Sequence, residues 1–144
     1  MQNIIYKEDR GMNFGKWSDN TSKLIYFDSV KDILSKIDIT GIVADYGGAN
    51  GILKEFISNI ISIDIDASKK PDIVDNILTH KGNYDLIIIR FVLHYLNDYE
   101  VLKLFKHIKS YHKGKILIIQ FTNEDLKSKY FNSKNEFKYF RTKN

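Results

Sequence analysis

The chain has no cysteine, one proline and one tryptophan among its 144 residues. Without cysteine there is no disulfide, no thiol nucleophile and no cysteine-based zinc site. No apolar run approaches the roughly 20 residues that a transmembrane helix requires. The N-terminal stretch MQNIIYKEDR lacks the apolar centre of a signal peptide. These absences predict a cytoplasmic protein that does not contact a membrane.

The residues that are present suit a globular domain, with 43% hydrophobic and 28% charged residues, enough to bury a core. The net charge of +4 is unevenly spread, because residues 127–144 hold six basic residues against Glu136 alone. The same tail is rich in Tyr and Phe, which is compatible with RNA binding through phosphate contacts and base stacking. A solvated amphipathic helix explains this tail equally simply, and we favour that interpretation.

Apolar residues alternate between strand-like runs and helix-like spacing. A helical face is expected from Ser29 onward, another in residues 52–57 and a third after Asp98, which is the predicted N-cap of its helix. Strands are predicted at 42–44, 60–66, 72–74, in the run that begins at 84, and at 115–121, most of them covered on both faces. Strands that alternate with helices in this way predict an α/β three-layer sandwich with a mainly parallel central sheet.

The stretch GIVADYGGANG, residues 41–51, places Gly47, Gly48 and Gly51 directly after a predicted strand, in a chain with only eight glycines. A strand, a glycine turn and a helix together can bring backbone N–H groups up to a ligand. The dinucleotide fingerprint G-x-G-x-x-G fails here from either Gly47 or Gly48, and the Gly-Lys-Ser/Thr of a phosphate-binding loop is absent. The remaining pattern is D-x-G-x-x-x-G, formed by Asp45, Gly47 and Gly51.

This pattern resembles the first motif of the class I S-adenosylmethionine-dependent methyltransferases, although Ala49 stands where that family usually has a glycine. The segments that follow strengthen the resemblance. SIDIDAS (62–68), DNIL (75–78) and YDLIIIRFVLHYL (84–96) come in the family's order, and the resemblance covers roughly residues 10–125. It implies a Rossmann-like fold, S-adenosylmethionine as the cofactor and methyl transfer as the activity, with a small-molecule acceptor favoured.

The resemblance also implies roles for single residues. Asp64, or Asp66 if the register differs by two, would bind the ribose hydroxyls through charge-assisted hydrogen bonds. Asn76 rather than Asp75 would contact the adenine amino group, with Ile77 against the ring. The full expected cofactor-binding set is Asp45, Tyr46, Gly47, Gly48, Gly51, Asp64, Ile65, Asn76, Ile77 and Arg90.

Purely structural interpretations stay open for several of these residues. The glycines could simply permit a tight turn, Asp64 could cap a helix, and Asn76 could be an ordinary turn residue. Arg90 could form a structural salt bridge, since an unpaired buried arginine is costly. For catalysis, His94 is the candidate base if the acceptor must lose a proton. Phe14, Trp17 or Tyr46 is a candidate for a cation–π contact with the cofactor. No metal is expected.

The chain departs from the family at its C-terminal end, where only 23 residues follow Phe121. Family members usually have seven strands, so the last strands are expected to be missing and the sheet edge to be open to a second copy or a protein partner. We divide the single domain (1–144) into an N-terminal lid or loop (1–23), a cofactor-binding core (24–122) and a basic, aromatic tail (123–144). The alternatives to an active enzyme of small molecules are a non-catalytic methyltransferase-like binding or regulatory subunit, or RNA methylation through the tail.

Overall fold

The computed structural model describes residues 31–48, 51–90 and 92–119, and the side chains of Ile52 and His94 lie outside what it describes. Its strands are β1 (Val43–Tyr46), β2 (Ile60–Asp64), β3 (Ile73–Val74), β4 (Leu86–Arg90) and β5 (Lys115–Ile119). Residues 31–35 are helical and are called α1, and α2 is Asp98–Tyr111. Short 3₁₀ helices cover Ile52–Glu55, Ala67–Lys69 and Leu93–Tyr95.

The five strands form one parallel sheet in the order β3-β2-β1-β4-β5. The chain moves outward from β1 to β3 and then returns to place β4 on the other side of β1. The carboxyl ends of β1 and β4 therefore lie at the point where the strand order reverses, which is where open α/β sheets bind ligands. The predicted α/β architecture with a mainly parallel central sheet is confirmed.

Both faces of the central strands are buried, which explains their nearly unbroken apolar sequences. One cluster packs on the side of Ala44, Ile87 and Leu104, and the other on the side of Val43, Ile88 and Leu53. Residues that alternate along one strand thus enter different clusters, as the pleat requires. We call the second side, which also carries Leu34 of α1, the α1 face, and the first the α2 face.

The N-terminus of α2 differs from the expectation that Asp98 caps it. The N-cap is Asn97, whose Oδ1 accepts from the Glu100 N–H at 2.8 Å, while the Glu100 carboxylate accepts from the Asn97 N–H at 3.1 Å. This reciprocal pair is a capping box. Asp98 instead occupies the first turn of α2, where its negative charge is favourable for the helix dipole.

The segment after the glycine turn was expected to be an α-helix, but only the 3₁₀ helix Ile52–Glu55 forms there. The physical reason is length, because β2 already begins at Ile60. The apolar spacing is nevertheless used, since Leu53 and Ile57 are buried in the α1-face cluster. In the described part of the chain, no helix has the length and apolar character needed to cross a bilayer.

Strand β5 differs from the prediction that it is covered on both faces. Its Ile116 and Ile118 are 41% and 46% exposed, whereas Leu117 and Ile119 pack against the α1-face cluster. Within the described residues β5 is the outermost strand on its side of the sheet. Among the described residues β5 pairs only with β4, and no described helix or strand covers the face of β5 that carries Ile116 and Ile118.

Candidate functional site

Three charged side chains from three neighbouring strands lie on the α1 face of the sheet. Asp45 is in register with Ser62 of β2 and with Ile88 of β4. Asp64 and Arg90 each lie two residues further along their strands, and side chains two apart point to the same face. The structure thus brings together three of the predicted cofactor-binding residues at the carboxyl edge of the sheet.

Asp45 is 1% exposed, and its Oδ2 atom has no hydrogen-bond partner among the described residues. Burial raises the pKa of the Asp45 carboxyl to about 6, the Arg90 guanidinium offsets part of that rise, and the nearby Asp64 adds to it. A buried carboxylate oxygen without a partner is energetically costly. This oxygen is therefore a natural acceptor for a cationic or hydrogen-bond-donating ligand group.

Arg90 ends β4, and it interacts electrostatically with Asp45. Burial lowers the pKa of Arg90, and the negative charge of Asp45 raises it in part. An arginine keeps its proton in proteins. Arg90 is therefore a fixed positive charge that helps Asp45 to remain ionised inside the sheet, which agrees with the salt-bridge interpretation without excluding a ligand contact.

The glycine turn crosses directly over the Asp45 carboxylate. A Cβ added at Gly48 would lie 2.7 Å from both Cγ and Oδ2 of Asp45. Gly47 has a φ of 73°, and a Cβ there would lie 2.6 Å from Cγ2 of Val92. Both positions therefore require glycine, one because of the carboxylate beneath it and the other because of its backbone angle and the packed valine.

The N–H groups of this turn are directed inward rather than toward a ligand. The Gly47 and Gly48 N–H groups both donate to the carbonyl oxygen of Ile63, at 2.8 and 3.2 Å, and the Gly51 N–H donates to the Gly48 carbonyl at 2.8 Å. The expectation that these groups cradle a ligand is therefore wrong for the three glycines. Their hydrogen bonds fix the turn against the end of β2, beside Asp64.

Replacing Gly47 by alanine should lower the free energy of unfolding by about 2 kcal/mol, since it combines an unfavourable positive φ with overlap on Val92. Gly51→Ala is the matched control: Gly51 has the same φ of 73°, but its added Cβ would meet the side chain of Lys54 at 3.2 Å and the Ser62 Oγ at an ordinary contact distance of 3.6 Å. It should cost about 1 kcal/mol. Urea unfolding measures both, and equal losses would contradict the contact with Val92.

Of the two aspartates proposed for the ribose, only Asp64 ends a strand of the sheet. Its Oδ1 accepts from the Asp66 N–H at 2.9 Å. The carboxylate of Asp66 instead caps the 3₁₀ helix Ala67–Lys69 and accepts from both the N–H and the hydroxyl of Ser68. Ile65 between them is 42% exposed, which leaves an apolar surface next to Asp64.

The segment that follows β3 is joined to Asp64, because the Asp75 N–H donates to the Asp64 carbonyl oxygen at 3.0 Å. The side chain of Asn76 acts within this segment, where its Oδ1 accepts from the Leu78 N–H at 2.9 Å. This arrangement is the turn role that the sequence left open for Asn76. Ile77 is only 8% exposed and belongs to the α2-face core, so it offers little surface to a ring.

The side chain of Tyr46 does not lie in the site. Its side chain is fully buried on the α2 face, where its hydroxyl is hydrogen-bonded to that of Tyr111. Because successive side chains of a strand point to opposite faces, the ring is directed away from the Asp45 carboxylate. The cation–π contact expected of Tyr46 is therefore wrong.

Other expected site residues lie outside the described part of the chain. They are Phe14 and Trp17 of the N-terminal segment and the side chain of His94, whose backbone belongs to the 3₁₀ helix Leu93–Tyr95. Within the described ranges, no group of three His, Asp or Glu side chains is arranged to hold a metal ion. The roles of these residues and the absence of a metal remain predictions.

Sequence reasoning missed a polar cluster that joins β2 to β3. Asp72 accepts from the Ser62 N–H at 2.8 Å, from the Ser62 hydroxyl at 3.1 Å and from the Lys54 ammonium at 2.6 Å. These bonds, that of Lys54 foremost, lower the pKa of Asp72. The cluster anchors the two-residue strand β3 near Asp64, and Asp72 lies directly before this strand. The only signal in the sequence was the DIV motif beside Pro71, for which a strand was predicted at 72–74.

No protein-family profile matches this chain, and no curated protein matches it significantly in sequence. Solved structures do match. The plantazolicin methyltransferase BpumL, in complex with a monoazolic desmethylPZN analogue and S-adenosylhomocysteine, matches 91% of this chain with a TM-score of 0.63 and 13% identity. Phosphoethanolamine N-methyltransferase 1 of Haemonchus contortus, in complex with phosphoethanolamine and S-adenosylhomocysteine, matches 98% with a TM-score of 0.61 and 16% identity.

Magnesium protoporphyrin IX methyltransferase of Synechocystis PCC 6803, with bound S-adenosylmethionine, matches 86% of the chain with a TM-score of 0.56 and 16% identity. This chain spans 85% of that protein, but 61% of the plantazolicin enzyme and 38% of the Haemonchus enzyme. The fold is that of the class I S-adenosylmethionine-dependent methyltransferases. At these identities the likeness establishes the fold alone.

Proposed function

We propose that the protein binds S-adenosylmethionine at the carboxyl edge of the sheet and transfers its methyl group to a small-molecule acceptor. The observation that carries the proposal is the pair formed by Asp45 and Asp64 on one face, with the glycine turn over the first and an exposed apolar residue beside the second. Solved proteins of this fold hold S-adenosylmethionine or S-adenosylhomocysteine, which supports the same ligand here.

The donor set fits this cofactor at both of its polar ends. The buried Asp45 oxygen without a partner among the described residues suits the cationic methionine end, because a desolvated carboxylate gains most from a positive charge. The Asp64 carboxylate at the end of β2 suits the two vicinal ribose hydroxyls. Between these two carboxylates, the glycines at positions 47 and 48 have no side chains, so a nucleoside can lie close to the backbone of the turn.

When bound, the cofactor supplies an activated methyl group on a positively charged sulfur. Asp45 and Asp64 would hold this cofactor, which would supply its methyl carbon to the acceptor atom, while the electron pair of the broken carbon–sulfur bond would remain on sulfur. The residues of this chain then contribute mainly by aligning the reactants and excluding water. His94 follows β4 at the same edge and remains the candidate to take the acceptor's proton.

Ligand binding tests this proposal without knowledge of the acceptor. S-Adenosylhomocysteine at 100 times its Kd should stabilise the protein by about 2.7 kcal/mol, which raises the Tm by several degrees. ATP and NADH serve as controls, because they share the adenosine but lack the methionine end. A thermal shift that is absent at millimolar S-adenosylhomocysteine, or equal for all three ligands, would contradict the proposal.

For the methyl acceptor we propose only a chemical class, a small molecule. The solved neighbours named above are complexes with, or are named for, a monoazolic desmethylPZN analogue, phosphoethanolamine and magnesium protoporphyrin IX, so the fold does not select one acceptor. A regulatory subunit and RNA methylation depend on the C-terminal end and on residues 123–144, which lie outside the described residues. The comparisons give neither alternative support, and the cytoplasmic location also remains a prediction.

A further inference from the structure

His80 is a buried histidine in the segment that follows β3. It is 6% exposed, and its two ring nitrogens each have a partner. Nδ1 lies 2.8 Å from Oδ2 of Asp75, and Nε2 lies 2.9 Å from the hydroxyl of Tyr84. A neutral imidazole with its proton on Nδ1 satisfies both contacts, since Nδ1 then donates to the carboxylate and Nε2 accepts from the tyrosine.

His80 is also held from the sheet through its ring and from α2 through its backbone. It stacks on Tyr84 with 6.0 Å between ring centroids and makes an edge contact with Tyr46 at 5.8 Å. Its backbone carbonyl accepts a hydrogen bond of 2.8 Å from Nε2 of His107 on α2. His80 thus connects the segment 75–80 to two rigid elements, β1 and α2.

The Asp75 carboxylate is held between this histidine and its own turn. Its Oδ1 accepts from the Asn76 N–H at 2.8 Å while Oδ2 faces His80, and the hydrogen bond from His80 is the main cause that lowers the pKa of Asp75. The Asn76 carbonyl in turn accepts from the Thr79 and His80 N–H groups at 3.0 and 2.8 Å. The turn shape therefore depends on His80 at both ends.

We propose that His80 is a positioning residue that holds the Asp75 carboxylate, and with it the turn of residues 75–78, in the conformation that recognises the adenine amino group. The Asn76 side chain is used within the turn and Ile77 is buried, whereas the Asp75 side chain is 43% exposed and can accept from that amino group. This inference rests on the proposed function, because it needs the adenosine end of the ligand to lie beside Asp64. The Asp75 N–H is bonded to the Asp64 carbonyl, so the turn and the ribose-binding carboxylate are one continuous unit. A turn released from His80 would lose selectivity for adenine before it lost the ribose contact.

The variants His80→Asn and His80→Gln separate the two contacts. An asparagine amide can occupy the place of Nδ1 and keep the donation to Asp75, whereas a glutamine amide reaches the place of Nε2 and keeps the contact with Tyr84. Tyr84→Phe removes the hydroxyl while His80 and Asp75 remain. If the Asp75 contact positions the turn, His80→Gln should be defective, and His80→Asn and Tyr84→Phe should resemble the wild type.

The readout is the ratio of two affinities measured by calorimetry: that of S-adenosylhomocysteine and that of its analogue in which hypoxanthine replaces adenine. The wild type should prefer adenine by about tenfold, the value of one hydrogen bond. His80→Gln should reduce this preference to about twofold or less, whereas a general loss of stability would weaken both ligands equally. In the ligand-free protein, amide hydrogen exchange at positions 78–80 should be faster in His80→Gln than in the wild type, while exchange at Leu104 of α2 should not change.

If the wild type binds S-adenosylhomocysteine and His80→Gln keeps both the preference and slow exchange in the turn, the positioning role of His80 is wrong. If His80→Asn is as defective as His80→Gln, the Asp75 contact does not carry the role and the inference also fails. If the wild type binds neither ligand, it is the proposed function that fails first, and this inference falls with it.

Discussion

Replacing Asp64 by alanine is expected to weaken the binding of S-adenosylhomocysteine at least about 100-fold. The carboxylate is proposed to accept two hydrogen bonds from the ribose, and hydrogen bonds to a charged group contribute about 1.5–3 kcal/mol each. The Asp64 side chain is only partly buried at the end of β2, where its Oδ1 accepts from the Asp66 N–H. The loss should therefore fall mainly on the ligand rather than on the fold.

Asp66→Ala is the matched control, because the alanine keeps the N–H that donates to Asp64. It removes the cap of the 3₁₀ helix Ala67–Lys69, so it should cost some stability but change the affinity by less than about threefold. Calorimetric titration of both variants, with the circular dichroism of each to verify folding, makes the comparison. A larger loss of affinity in Asp66→Ala than in Asp64→Ala would show that the ribose site is assigned to the wrong carboxylate.

Asp45→Asn is expected to stabilise the ligand-free protein and at the same time to weaken ligand binding at least tenfold. Burial raises the pKa of Asp45 from 3.8 to about 6, so the folded state holds the charged form at a cost. At pH 7 this cost is about 3 kcal/mol. It shrinks as the pH falls through 6, where the folded carboxyl takes up its proton, and it vanishes below about pH 4.

The gain from Asp45→Asn should accordingly be large at pH 7.5 and small at pH 4.5, measured by urea unfolding across that range. Ligand affinity of the wild type should follow the opposite trend, weakening below pH 6 as the carboxylate loses the charge that the methionine end requires. In Asp45→Asn the affinity should be low at every pH. A variant that is less stable than the wild type at pH 7.5, or whose affinity still falls below pH 6, would disprove this role of Asp45.

The positions of the strands could be anticipated because the relevant signals are local, whereas their order in the sheet was not predicted from the sequence. The apolar run that contains Leu86–Arg90 is typical of a strand buried on both sides, and β2 forms where it was predicted, although it ends at Asp64 rather than at residue 66. The assignment of α2 by apolar spacing was right as well, but its cap was placed one residue too late. Such an error at a boundary is expected where Asn97 and Asp98, both good capping residues, are adjacent.

The interior of the site could not be anticipated, because it depends on contacts between residues distant in sequence. The inward direction of the Gly47 and Gly48 N–H groups depends on where the Ile63 carbonyl lies. The position of His80 depends on Tyr46 of β1, Tyr84 of the loop before β4 and His107 of α2, which are distant in sequence. Sequence spacing identifies the strand ends that meet at a ligand, but it does not show which polar atoms are already used within the protein.

The contact between Gly48 and the Asp45 carboxylate has a consequence for how this sequence can change over evolutionary time. Any side chain acquired at position 48 would overlap the carboxylate, so such a change is tolerated only after position 45 has become smaller. A shortened residue at 45, however, gives up the acidic group on which the proposed ligand depends. Position 48 is therefore expected to change only where position 45 has already changed, and a homologue with serine at 48 should also have lost the aspartate at 45.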